Sequence, residues 1–418
     1  MTEAAATELL TTADGRPLKE ALATAQMRAK RRAFLLVLPL LIFVLLTFLI
    51  PIGYMLKRSV EHDGFSKSTP TLSAWFEANP EIDYTNIPEE AYAALVKDLA
   101  QMQADRNTGM AGTRMNYTVP GTISLFKAGA RAAGDMSPPF KEAMIELNPM
   151  WGEPVLWRGM DAASSQYTTE FYKVAADRKL TADGWAKGDD NQRIYVYLFV
   201  KTFLVSALIT LICLVLAFPI AHLLAVLPMA KSSLLMILVL LPFWTSLLVR
   251  TTSWIAILQE QGIVNNALVW LGVLSNDGRL SMMYNMTGTI VAMSHVLLPF
   301  MILPLYSVMR VIPPSYARAA RSLGATSWTT FRRIYVPQTL PGIAAGSLLV
   351  FILAVGYFIT PALVGGADGQ LISNLISFHM SRSNWSLAAA LAAMLLVAIL
   401  ALYWIYDRLI GIDRLKLG

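Results

Sequence analysis

The sequence has little of what soluble enzymes and metalloproteins depend on. Its 418 residues hold one cysteine, Cys213. That excludes a disulfide within the chain and any multi-cysteine metal site. Four histidines, His62, His222, His295 and His379, are scattered without metal-ligand spacing, so no metal and no cofactor is expected. No Gly-x-x-x-x-Gly-Lys-Ser/Thr run occurs, so the chain is not itself a phosphate-loop ATPase. No nucleophile–base or paired-carboxylate motif stands out, which leaves a membrane enzyme without support. Charged residues make up 15%, well below the roughly 25% of an ordinary soluble domain.

Apolar residues are abundant instead, at 55%, and the mean hydropathy is +0.50. A soluble chain of this size cannot bury so much apolar surface, so the composition defines a membrane protein with a sizeable polar part. Six stretches reach the roughly 20 residues that a bilayer requires: 33–56, 195–227, 233–258, 287–309, 339–364 and 386–406. The first follows a mixed-charge segment, 1–32, and has no small-residue cleavage site at Tyr54 to Arg58. It reads as a true span and not a signal peptide.

Lys and Arg sort by side. Lys30, Arg31 and Arg32 abut the first span. Lys231, then Arg310, Arg318, Arg321, Arg332 and Arg333, then Arg408, Arg414 and Lys416 fall on that same side if the spans alternate. The short opposite loops hold only Arg279 and Arg382. This is the positive-inside pattern, with both termini cytoplasmic. The net charge of +6 is therefore a topological signal, and nucleic acid is not an expected partner.

Residues 57–192 form a long polar insertion on the outer side, with 14 Lys/Arg against 19 Asp/Glu, a net −5. Trp75, Tyr84, Tyr92, Trp151, Trp157, Phe171 and Trp185 are enough aromatics for a small core. Helices are expected over 87–99, 140–147 and 168–180, with Gly109, Gly112, Gly121 and Gly134 marking loops. The insertion is thus expected to be a mostly helical domain. Residues 193–418 carry the remaining five spans.

The most informative stretch lies between the fourth and fifth spans, from Ile312 to Pro337. A short helix over 314–323 is expected to start after Pro313 and stop at Gly324, where glycine adopts the left-handed conformation. Tyr316, Ala319, Ala320 and Leu323 fall on one face, and Arg318 and Arg321 on the other. Ser327 is placed to cap a second short helix. Small residues at 319, 320 and 324 permit close approach of another protein. A basic amphipathic helix lying on the membrane surface has the same pattern.

This stretch resembles the cytoplasmic signature of permeases in binding-protein-dependent ABC importers: Glu-Ala-Ala, three residues, Gly, nine residues, Ile-x-Leu-Pro. Ala319-Ala320, Gly324, Ile334 and Pro337 match in spacing, while Arg318 replaces the Glu and Val336 the Leu. A more specific resemblance, to spermidine/putrescine importer permeases, rests on Leu241 to Thr251, Gly262 to Asn266, Leu298 to Tyr306 and Gly356 to Gly366. With the first span it covers the chain except 1–30 and the insertion. It implies an all-α polytopic bundle in the bacterial inner membrane, working with a second permease subunit, two cytoplasmic ATPase subunits and an extracytoplasmic substrate-binding protein. It also implies that 314–323 is the coupling helix, with Tyr316, Arg318, Ala319, Ala320, Arg321, Leu323 and Gly324 at the ATPase contact. Arg318 reverses the usual charge there.

Polar and aromatic groups within or beside spans are the candidate substrate pathway: Trp244, Arg250, Trp254, Glu260, Tyr357 and Trp385. Trp254 is one turn from Arg250, which permits a cation–π contact, and Glu260 is placed to pair with Arg250 or to attract cations. Arg250 equally suits a structural role, neutralising a carboxylate or capping carbonyls between helices. The aromatics equally suit interfacial anchoring in membrane lipid. Cys213 reads as plain packing. The expected solute is a small cation of the polyamine class. Another small amine, or an amino-acid-like solute, is the alternative, and a membrane sensor or receptor is a more distant one.

Overall fold

The computed structural model describes residues 18–410, and its only strands among those residues are one short pair. The chain divides into two units at residue 57. Residues 1–17 of the expected N-terminal segment lie outside the described residues, as do Arg414 and Lys416 of the positive-inside pattern.

The first unit is helical from Leu18, and the expected span 33–56 lies inside it. Its helix widens into a π-turn at Leu45–Leu49, just before Pro51. Proline has no N–H to offer the carbonyl four residues back, and a wider turn accommodates the loss.

In the second unit the helices Tyr195–Val226, Met286–Val311 and Val336–Gly356 pack against one another around Ile209, Cys213, Leu297, Met301, Leu305 and Val350. Small residues set the approach. A Cβ at Gly346 would meet Met301 Sδ at 2.8 Å, and one at Gly342 the carbonyl of Pro304 at 3.0 Å. Cys213 is buried, with its thiol 3.4 Å from the Ser294 carbonyl, in keeping with a packing role. The last span is Trp385–Ile410.

Two spans differ from the expected continuous helices. The third breaks at Thr245-Ser246 into Met229–Trp244 and Leu247–Leu258, and the chain bends by 98° there. Pro242 removes a helical donor, and the Thr245 hydroxyl then donates to the Pro242 carbonyl at 2.9 Å. The fifth begins earlier than expected. Thr326, not Ser327, caps it: its side chain accepts from the Thr329 N–H at 3.2 Å. The short helix Ser327–Thr330 then runs through a second π-turn, Phe331–Tyr335, directly into Val336–Gly356. Pro337 again follows the π-turn by two residues. The helix stops at Gly356, Tyr357 is extended, and Ile359–Val364 forms a separate piece.

The insertion has its own core, built on Phe65, Tyr92, Leu95, Phe126, Trp151 and Trp157. Helices Glu89–Ala104 and Phe140–Leu147 answer the sequence expectation. The expected helix 168–180 is shorter, Glu170–Ala175, and gives way to a hairpin of Arg178–Thr181 with Gly184–Lys187. Gly109 and Gly112 lie in a helix, not a loop. At Gly112 a Cβ would come within 2.9 Å of the Thr122 carbonyl, so that glycine serves helix crossing. Phe171 packs with Leu387 and Leu391 of the last span and not in the insertion core.

The insertion is fastened at its ends. Glu61 bridges Tyr167, with backbone bonds from His62 to Gln166 (2.9 Å) and from Thr168 to Val60 (2.7 Å). The buried Asp177 carboxylate accepts from the N–H groups of Tyr195 and Val196, at 3.0 and 2.8 Å, and so caps the second span from outside it.

Candidate functional site: a polar cluster between span helices and an exposed connecting helix

The break at Thr245-Ser246 redirects the helix that carries Arg250 and Trp254. Trp254 donates its indole N–H to Nδ1 of His295 at 3.1 Å, with the rings T-shaped and 5.2 Å apart. Arg250 lies within electrostatic range of both His295 and Tyr357. Arg250, Trp254, His295 and Tyr357 are all half-buried, open enough to line a path. Arg250 Nε is itself buried and has no hydrogen-bond partner.

Three of the six candidate pathway residues thus lie in one neighbourhood, and one of them, Trp254, is bonded to His295, which the sequence reading did not select. The others lie elsewhere. Trp244 is 76% exposed at the break in the third span, and Trp385 opens the last span half-exposed. Glu260 lines a separate polar pocket with Asp277, Asn266 and Arg279. Arg279 donates to the Glu260 carbonyl and to Asn266, both at 2.8 Å. Among the described residues no ion pair joins Glu260 to Arg250, and no cation–π contact joins Arg250 to Trp254. From residue 191 to 410 the only carboxylates are Glu260, Asp277, Asp368 and Asp407, and among the described residues none of them pairs with Arg250.

The second element is the helix Pro314–Ser322, one residue shorter than expected. Gly324 has φ +89°. Its N–H donates to the Arg321 carbonyl, and the Ala325 N–H to that of Ala320, both at 3.0 Å. This Schellman ending is what the glycine was expected to supply. Ala317 and Ala320 turn toward the bundle, whereas Tyr316 is half-exposed and Leu323 is 88% exposed. Ala320 therefore parts from Tyr316, Ala319 and Leu323, with which the helical spacing grouped it. Those three are exposed, and so are Arg318 and Arg321.

Residues 194–410 match the family described as binding-protein-dependent transport system inner membrane component. The spermidine/putrescine transport system permease protein PotB of Salmonella typhimurium strain LT2 is 37% identical over 235 residues, 55% of this chain and 80% of that protein. The inner membrane ABC transporter permease protein YdcU of Escherichia coli K12 is 32% identical over 225 residues, 51% of this chain and 71% of that protein. A crystal structure of a bacterial alginate ABC transporter, in complex with an alginate pentasaccharide-bound periplasmic protein, is similar at a TM-score of 0.46. Its identity is 20%, over 55% of this chain and 85% of that one.

An all-α bundle of apolar helices long enough to cross a membrane, with a short helix exposed between two of them, is the architecture of a polytopic membrane protein. The chain belongs to the family of inner membrane components of binding-protein-dependent transport systems. It is a permease of an ABC importer, and ATP hydrolysis belongs to other subunits of such a system. The insertion 57–192 lies outside the family match.

Proposed function

We propose that this chain moves polyamines inward as one of two permease subunits. The observation that carries the reading is its 37% identity to a spermidine/putrescine permease over 80% of that protein. Substrate arrives from an external binding protein, and one of the importer's two cytoplasmic ATPase subunits docks on the open face of the 314–322 helix. Both termini and that helix lie in the cytoplasm, and the insertion lies outside. The two helix bundles interconvert because the ATPase binds their two arrangements with different affinity. Trp254, Tyr357 and His295 line the path, and aromatic faces suit an ammonium group.

Arg250 favours a second reading. With no carboxylate paired to it among the described residues, Arg250 presents donors, which suit an amino-acid-like solute with an acceptor group. The test is uptake in cells that lack their own polyamine importers and express this chain with the transport proteins encoded beside it. Restored uptake of labelled spermidine or putrescine supports the first reading. Uptake of an amino acid, with none of polyamine, replaces it with the second.

A further inference from the structure

Where the 314–322 helix leaves the ends of the spans it borders an open cavity of about 690 Å³. Arg310, Arg318 and Arg321 line it, together with apolar groups that include Val226, Met309 and Ile334. Arg310 is engaged: it donates to the carbonyls of Ala225 at 2.7 Å and Leu227 at 3.0 Å and so caps the second span. Arg321 uses Nε on the Ala317 carbonyl at 3.2 Å. Neither Arg318 nor Arg321 has an ion-pair partner among the described residues. The sequence has no Asp or Glu from 278 to 367, so this segment supplies no counter-charge of its own.

Three guanidinium groups in one cavity repel one another until an anion enters. Arginine forks match the oxygens of a phosphate in paired hydrogen bonds. The apolar part of the wall, at the ends of membrane spans, suits the glycerol and upper acyl region of a lipid. We propose that this cavity binds a phosphate group, held by Arg318 and Arg321. The group is either the headgroup of an anionic phospholipid or free phosphate. The site is independent of which solute the importer carries. It gives a physical reason for arginine at 318, where the permease signature has glutamate.

The test uses the assembled transporter, with its partner permease and ATPase subunits, in phosphatidylcholine nanodiscs with or without phosphatidylglycerol. Native mass spectrometry counts phosphatidylglycerol retained on the complex. Protection of arginines from phenylglyoxal by inorganic phosphate is measured in the discs without phosphatidylglycerol. The R318Q/R321Q variant is compared with R332Q/R333Q, which removes the same charge from two exposed arginines outside the cavity. R318K/R321K checks folding and retains charge.

A headgroup site predicts retention in the wild type and in R332Q/R333Q, and about tenfold less in R318Q/R321Q. A free-phosphate site predicts protection of Arg318 and Arg321 by inorganic phosphate without selective lipid retention. The proposal is overturned if both double glutamine variants lose lipid equally. It is also overturned if neither probe engages the two arginines, as when ATPase side chains fill the cavity.

Discussion

Trp254 and His295 stand 41 residues apart in sequence, yet the indole N–H meets the imidazole Nδ1 at 3.1 Å between two membrane helices. The bond fixes the tautomer of His295, whose proton must then sit on Nε2. It also holds the redirected half of the third span against the most buried helix of the bundle.

Removing only the donor leaves a half-buried acceptor without its partner, while removing both partners does not. Trp254→Phe is therefore expected to destabilise the purified permease by about 1–3 kcal/mol. Adding His295→Leu is expected to recover part of that loss. Thermal melting of the three proteins in one detergent checks it. A double variant less stable than Trp254→Phe alone contradicts the pairing.

At Gly324 the backbone is left-handed, but an added Cβ would meet nothing within 4 Å. The cost of a side chain there is conformational and not a clash within the chain. Gly324→Asn, which tolerates this geometry, is expected to keep the ATPase subunits bound through purification. Gly324→Val is expected to lose most of them. Equal retention by both variants would remove this helix ending from the coupling contact.

Much of this was legible beforehand. Hydropathy found the long apolar helices, because apolar runs of about 20 residues are visible without their partners, but not their breaks. Pro313 and Gly324 bracketed the exposed helix, because each acts on its own backbone. The break at Thr245-Ser246 had a local signal, Pro242 followed by hydroxyl residues, but a continuous apolar run masked it. Asp183-Gly184 likewise signalled the turn of the hairpin that replaced a helix end. His295 left no trace, since a lone histidine in an apolar span has no periodicity and its partner is distant. Gly112 misled because a glycine needed for helix crossing looks, in sequence, like one needed for a loop.

His62 should make the insertion sensitive to acid. Burial, reinforced by the Arg114 guanidinium, pulls its pKa from 6.5 to about 4. Its Nδ1 also accepts the Gly64 N–H at 3.2 Å, which requires that nitrogen unprotonated. Arg114 is itself buried and paired with Glu170. Below pH 6.5 the unfolded chain takes up a proton that the folded one refuses, so stability falls as pH drops from 6.5 toward 4. The loss should be roughly 1–3 kcal/mol, and His62→Gln should flatten it. Tryptophan fluorescence during urea unfolding at several pH values reads this directly. An unchanged slope in the variant would assign the acid sensitivity elsewhere.

The bridge between Glu61 and Tyr167 brings the ends of the insertion's core together. Replacing 65–165 by a short Gly/Ser linker, with Glu170→Gln to avoid an unpaired buried carboxylate, should leave the spans intact. If the insertion docks the binding protein, basal ATPase activity of the complex survives while stimulation by binding protein is lost. Stimulation at the wild-type concentration dependence would reduce the insertion to a brace on the spans.

The most direct measurement is transport by the reconstituted complex. The chain, its partner permease and ATPase subunits are placed in proteoliposomes whose ATPase face is outward, with binding protein and labelled spermidine sealed inside. Added ATP should export the label from the lumen, the direction that corresponds to import in a cell. Arg250→Gln and Trp254→Ala should each change the rate without abolishing assembly. ATP hydrolysis stimulated by loaded binding protein, with the label retained in the lumen, would contradict the account.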